Sequence, residues 1–175
     1  CAGETRLWSV LRVPSVEEED ERHMHREWQR LRKERAMHCN RIRSFLKLHG
    51  IEVGNAMRRD FLDYVEVVRL WDGSELPVEL KGRLRSEYER LQFVQGQIVE
   101  LEKERWRRVR LGDTVSSRRV AQLMTLCGIG IESGWLFEKE FFAWRNFSNG
   151  KQLAALAGLT PTPYDSGDSC REQGI

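Results

Sequence analysis

From Leu80 to Leu101 one face of the chain is apolar at alternating steps of four and three, through Leu80, Leu84, Leu91, Val94, Ile98 and Leu101, broken only at Glu87. That is a heptad seam, and it requires a long helix with a partner to cover it. Pro77 is suited to the first turn of this helix, which is predicted to run to about Arg110, with Gly112 as its stop. Upstream, Ser15 and Glu18 have the spacing of a capping box, so a first long helix is predicted to start near Val16 and end at Gly50. Its stripe is Met24, Trp28, Leu31, Ile42 and Phe45, with Arg35 and His38 in the middle. At 1.5 Å per residue it is a rod about 50 Å long. A shorter helix is predicted over 55–70, with Met57, Phe61, Val65 and Val68 on one face, ended by Trp71-Asp-Gly-Ser74. Two long amphipathic helices joined this way fold back most easily as an antiparallel coiled coil.

Past Gly112 the pattern changes. Thr114 to Ser117 offers caps for another helix, and Leu123-Met-Thr-Leu-Cys-Gly-Ile-Gly-Ile-Glu-Ser-Gly-Trp-Leu-Phe137 reads as helix, tight Gly-x-Gly turn, helix. Gly128 and Gly130 permit positive φ and close approach of backbone, so amides at the start of the second helix are free to bind a phosphate without base preference. Ser148 is placed to cap a short helix over 149–157, Gly158 to stop it, and Pro161 and Pro163 to force an extended loop. Trp135, Phe141, Phe142, Trp144 and Phe147 follow helical spacing and read as the small domain's core rather than a base-stacking platform.

At 175 residues, 40% hydrophobic and 32% charged, the composition is that of an ordinary helical protein of one or two domains. The net charge of +2 hides local imbalance: Glu17 to Glu21 is acidic, whereas Arg22 to Lys47 is basic. Cys1, Cys39, Cys127 and Cys170 are too scattered for a zinc site or a disulfide framework, and a reducing cytoplasm fits best. No apolar run has the length of a membrane span. His23 and His25 point about 200° apart on a helix and lack a ligand partner, which disfavours metal binding.

Arg105, Arg107, Arg108 and Arg110 crowd the end of the second long helix. They are either a solvated face complementing the helix dipole or an electrostatic track for nucleic-acid backbone, and the neighbouring hairpin favours the track. Tyr164-Asp-Ser-Gly-Asp-Ser169 is either a polar turn or a loop carrying covalent chemistry.

The hairpin, the segment Phe147-Ser-Asn-Gly-Lys-Gln-Leu-Ala-Ala-Leu-Ala-Gly-Leu-Thr-Pro161 and the loop Tyr164-Asp-Ser-Gly167 together resemble, in order and spacing, the C-terminal domain of transposases of the insertion sequence 110 family. The tail Arg171-Glu-Gln-Gly-Ile175 looks like the start of that family's following basic segment. The resemblance implies a mainly α fold: a long antiparallel coiled coil followed by a small helical domain with a helix-hairpin-helix. Residues 1–14 would be the remnant of an N-terminal RuvC-like nuclease domain, 15–112 the coiled-coil region and 113–175 the C-terminal transposase domain, the whole read as a fragment cut at both ends.

It further implies DNA transposition through a serine nucleophile, matched in position by Ser166, with Ser169 next in line. Asp165 stands where many relatives have serine. Candidate nucleic-acid-binding residues are then Gly128, Ile129, Gly130, Arg105, Arg107, Arg108, Arg110 and Lys151. The resemblance places no metal on this chain and puts Mg²⁺ on the nuclease-like domain. It implies DNA and a structured guide RNA as partners, and the coiled coil itself points to a homo-oligomer. The rival reading is a non-catalytic helix-hairpin-helix module with a coiled-coil dimerisation arm.

Overall fold

In a computed structural model the described residues are 13–159, together with the backbone of 164–166 and 169–171. Residues 1–12, most of the nuclease-domain remnant expected at 1–14, lie outside them, as do the loop expected at Pro161 and Pro163, Gly167, Asp168 and the tail at 172–175. The chain is mainly α-helical, and among the described residues no helix is long and apolar enough to cross a membrane.

Helix α1 spans Val16–Lys47 and begins with the predicted capping box. The Glu18 amide donates to Ser15 Oγ at 3.2 Å, while the Ser15 amide donates to the Glu18 carboxylate at 2.8 Å. Glu17, Glu18 and Glu19 set negative charge against the positive end of the helix dipole. At the other end Gly50 takes φ 73°, which turns the chain so that the Ile51 amide can reach back to the Leu46 carbonyl.

Helix α2 is Phe61–Val67, shorter than the predicted 55–70. At its start Asn55 Oδ1 accepts the Met57 amide at 2.9 Å, an Asx turn that competes with helix, and at its end Val68 is already extended (ψ 142°). Helix α3, Val78–Leu111, starts directly after Pro77 and closes at Gly112, whose φ of 60° is left-handed.

Helices α1 and α3 pack antiparallel, since progress along α1 meets steady return along α3. Trp28 Nε1 donates to Glu102 (3.1 Å), Arg35 to Gln95 (3.0 Å), and Arg41 to Glu87 (2.8 Å). The seam holds two apolar clusters. One gathers Ile42, Leu46, Phe61, Val65, Leu84 and Leu91 with α2; the other joins Trp28 and Leu31 to Val94 and Ile98. Each fully buried Leu or Ile contributes about 1.5–3 kcal/mol.

The two polar breaks foreseen separately on the two helices face each other beside the first cluster, Glu87 lying between Leu84 and Leu91 on α3 and His38 one turn before Ile42 on α1. His38 Nδ1 lies 2.6 Å from Glu87 Oε1, and Arg41 and Arg90 also donate to that carboxylate. Burial pushes the Glu87 carboxyl up, but His38 and Arg41 together outweigh it and hold the group below its usual range. A register slip would strand this buried charge, so the cluster fixes the alignment of the two helices. On α1 the buried stripe uses His25 and Leu46 where Met24 and Phe45 were expected. Phe45 is half-buried beneath the Arg83 guanidinium.

Candidate nucleic-acid interface and strand-cleavage ribbon

Helix α4, Val115–Leu123, opens on a reciprocal cap between Thr114 and Ser117. A tight turn follows, in which the Ile129 amide donates to the Leu126 carbonyl at 3.1 Å. Helix α5, Ile131–Leu136, then packs back on α4. The approach is close because Gly134 has no side chain: a Cβ there would sit 3.4 Å from Val120 Cγ1 and 3.5 Å from Met124 Cγ.

Of the two turn glycines, only Gly128 uses positive φ, at 83°. Gly130 is extended (φ −87°, ψ 179°), and a Cβ added there would meet no protein atom within 4 Å. The freedom for positive φ is therefore used at Gly128, while Gly130 leaves open space beside its backbone. Its carbonyl accepts the Gly134 amide, so the amides before Gly134 have no acceptor within the helix. Ile129 is half-buried beside them.

The arginines at the end of α3 divide. Arg107, Arg108 and Arg110 are exposed. The first two clamp Glu104, whose carboxyl is pulled down to about 2 by their hydrogen bonds, and Arg110 lies over the Trp106 ring. Arg105 does not share that surface. It is 1% exposed, with its guanidinium 4.4 Å from the Trp28 ring centroid and 5.8 Å from that of Trp135. A side chain buried between two indoles cannot reach a phosphate, which corrects its assignment to the track.

This buried arginine ties the hairpin element to the helix pair. Its Nη2 lies 3.2 Å from His25 Nδ1, and burial pushes its pKa down to about 10. His25, stacked on Trp28, has its pKa pushed down to about 4, first by burial and then by the Arg105 charge, with Glu140 acting weakly the other way. A histidine held neutral in the folded state takes up protons on unfolding below its ordinary pKa. Its contribution to stability is therefore complete above about pH 6.5 and is lost as pH falls towards 4. Denaturant titrations between pH 7 and 4 should show a steeper acid loss for the parent than for His25→Phe, and parallel curves would refute the neutral-histidine assignment.

Further contacts reinforce the joint. Arg32 donates to Glu132 at 3.1 Å, and Arg22 donates to Glu140 while lying over Trp144. After α5 the helix continues as a π-helical turn, Phe137–Phe142, which buries Glu138 and Lys139 together. Burial pushes the Glu138 carboxyl up, opposed by Arg119. Trp135 and Trp144 are buried, whereas Phe141, Phe142 and Phe147 are half-buried and touch one another edge-on or tilted.

Helix α6, Gly150–Leu156, is capped by Asn149, whose Oδ1 accepts the Gln152 amide, rather than by Ser148. Asn149 is the residue with the extended backbone (φ −161°) that a cap requires. Lys151 is exposed in the first turn. Where the sequence left a polar turn or a chemistry-bearing loop open at 164–169, the described backbone forms a ribbon of two short antiparallel strands, β1 (Tyr164–Ser166) and β2 (Ser169–Arg171). Its register sets Ser166 opposite Ser169, so the two candidate nucleophiles are cross-strand neighbours.

Residues 120–175, from α4 through the ribbon, match the model of the transposase IS116/IS110/IS902 family. A protein of Sinorhizobium fredii (strain NBRC 101917 / NGR234) named as transposase y4rJ is 38% identical over 99% of this chain and 45% of its own length. A protein of Pseudomonas aeruginosa named as a family 20 transposase is 30% identical over 91% of the chain and 46% of its own length. The chain thus spans about half the length of these relatives. No solved structure matches it. With residues 120–175 matching the family model and both transposases aligned across the helix pair as well, the chain belongs to the IS116/IS110/IS902 family of transposases.

Proposed function

We propose that this chain supplies the part of a DNA transposase that grips the DNA backbone and carries its serine nucleophile. The observation behind this reading is the turn at Gly128-Ile129-Gly130, held between helices that meet at Gly134 and followed by α6 and the Ser166 ribbon within the family-matched segment. As a helix-hairpin-helix, it offers turn amides to a phosphate. Arg107, Arg108, Arg110 and Lys151 extend an electrostatic track beside it, from which Arg105 is excluded by burial. Ser166 attacks the phosphodiester, and the resulting phosphoserine linkage keeps the energy needed for rejoining without ATP.

A structured RNA guides the whole enzyme, and a second copy pairs through the coiled coil that the helix pair provides. Among the described residues no group of three or more His, Cys, Asp or Glu side chains could hold a metal ion. The Mg²⁺ implied by the family resemblance would be held by the nuclease-like domain rather than by these residues.

Gly130→Val tests the grip. Because a Cβ at 130 meets no protein atom, the variant should keep its circular dichroism spectrum, and any loss of binding reports on the ligand's approach. Duplex DNA binding should be independent of base sequence, weaken with salt, and fall about tenfold or more on losing hydrogen bonds to a charged phosphate. Equal affinities with the fold intact would make the turn a structural corner.

A further inference from the structure

Between the start of α1, the end of α3 and the π-helical turn lies a cavity of about 240 Å³. Lys139, Arg107, Arg108, Ser116 and Trp135 line it, with the carboxylates of Glu21 and Asp113 also on its wall. At about 30 Å³ for each water in the liquid, the space exceeds a few waters and accommodates a tetrahedral oxyanion.

Lys139 is 4% exposed, an unusual setting for an ammonium. Its Nζ donates to Ser116 Oγ at 2.7 Å and to the Glu21 carboxylate, and lies 5.7 Å from the Trp135 ring centroid. Trp135 is 3% exposed, and among the described residues its indole N–H has no acceptor. A buried donor without a partner costs free energy comparable to a lost hydrogen bond, so an acceptor belongs beside it. The ammonium, guanidinium and indole groups can only donate, and such a set fits a ligand that only accepts and carries negative charge.

Glu21 already shows what the pocket takes. Its carboxylate sits on Lys139, yet the side chain is half exposed on α1 and free to swing into solvent. We propose that the cavity binds one phosphate group of the nucleic-acid backbone, and that Glu21 is a resident competitor which that phosphate displaces from Lys139. The exchange is balanced in charge, since a phosphodiester and a carboxylate each carry one negative charge. The site rests on the reading that this region grips nucleic acid, and extends the track from the exposed arginines into a buried point of attachment. No covalent step is involved.

The test is ¹⁵N nuclear magnetic resonance on the whole chain, with the Trp135 indole N–H identified by its loss in Trp135→Phe. Titration with potassium phosphate, against potassium chloride at matched ionic strength, should shift this resonance only in the phosphate arm. A short DNA duplex should shift it in the same direction. Glu21→Gln should tighten both phosphate and DNA binding, on the order of fivefold, because it removes a half-exposed competing carboxylate. A merely structural Glu21–Lys139 pair predicts the reverse: a lower melting temperature and no tightening. Lys139→Gln, if folded, should lose the phosphate shift and reduce the salt dependence of DNA binding by about one phosphate contact.

An indole resonance unmoved by phosphate, or a Glu21→Gln protein that binds no tighter, overturns the site. DNA binding that leaves Trp135 untouched overturns the site while the broader grip stands. A shift with free phosphate but no binding of DNA keeps the anion pocket and overturns both its nucleic-acid assignment and the grip.

Discussion

Replacing Leu91 and Ile98 together with aspartate should unfold the helix pair. Leu91 is fully buried in the cluster that includes α2, and Ile98, 1% exposed, lies in the cluster around Trp28. Both sites lie among buried apolar side chains, so each new carboxylate must give up its hydration or force the helices apart. Either outcome costs several kcal/mol, and each substitution also forfeits about 1.5–3 kcal/mol of apolar burial. Two such losses consume most of a typical stability of about 5–15 kcal/mol. Helicity by circular dichroism should drop and the hydrodynamic radius rise together. Phe93→Asp is the control: on the same helix but 67% exposed, it should change stability by no more than about 0.5 kcal/mol. If the double variant keeps its radius and helicity, the packed pair is wrong.

What could be read from the residues alone follows from the range of the interactions concerned. Ser15 with Glu18, Thr114 with Ser117, and Gly112 act within one turn of helix, and the structure places these caps and this stop where local chemistry put them. Glu87 and His38 were visible as breaks in two seams, but their meeting depends on a fold-back register that neither helix encodes alone. The overlong α2 was a contest between patterns, with Met57 continuing the apolar face and Asn55 turning its amide aside.

Arg105 was misread because four arginines in six positions look like a single surface. Its helical phase carried the correct signal: it lies seven residues beyond Ile98, on the seam, whereas Arg107, Arg108 and Arg110 do not. Burial of Lys139 had no such signal. The π-helical turn shifts the phase of everything after Leu136, so a 3.6-residue reading assigns its side chains to the wrong face. The ribbon was hidden for another reason, since three-residue strands are too short to show alternation.

Ser166→Ala should abolish strand cleavage and every covalent protein–DNA adduct in the protein extended to the length of its relatives and supplied with its RNA and Mg²⁺. In the proposed step the serine oxygen attacks phosphorus, the hydroxyl proton passes to a base, and a sugar oxygen leaves with a proton. A second strand's hydroxyl then attacks the phosphoserine, restoring both serine and phosphodiester. Alanine offers no oxygen to either half. A serine hydroxyl is a weak nucleophile near neutral pH, so the remaining groups can position and stabilise but not substitute for it, and the loss should be on the order of 10⁴-fold or more. DNA affinity should stay close to that of the parent, because the grip is assigned to the hairpin and the basic track. The ribbon register makes the control demanding: Ser169 is the cross-strand partner of Ser166, so Ser169→Ala perturbs the same backbone pair while leaving the proposed nucleophile in place. That variant should retain at least part of the activity. Adducts persisting in Ser166→Ala would transfer the role to Ser169 or to a residue beyond Ile175, and DNA binding without cleavage by the parent would favour a non-catalytic module.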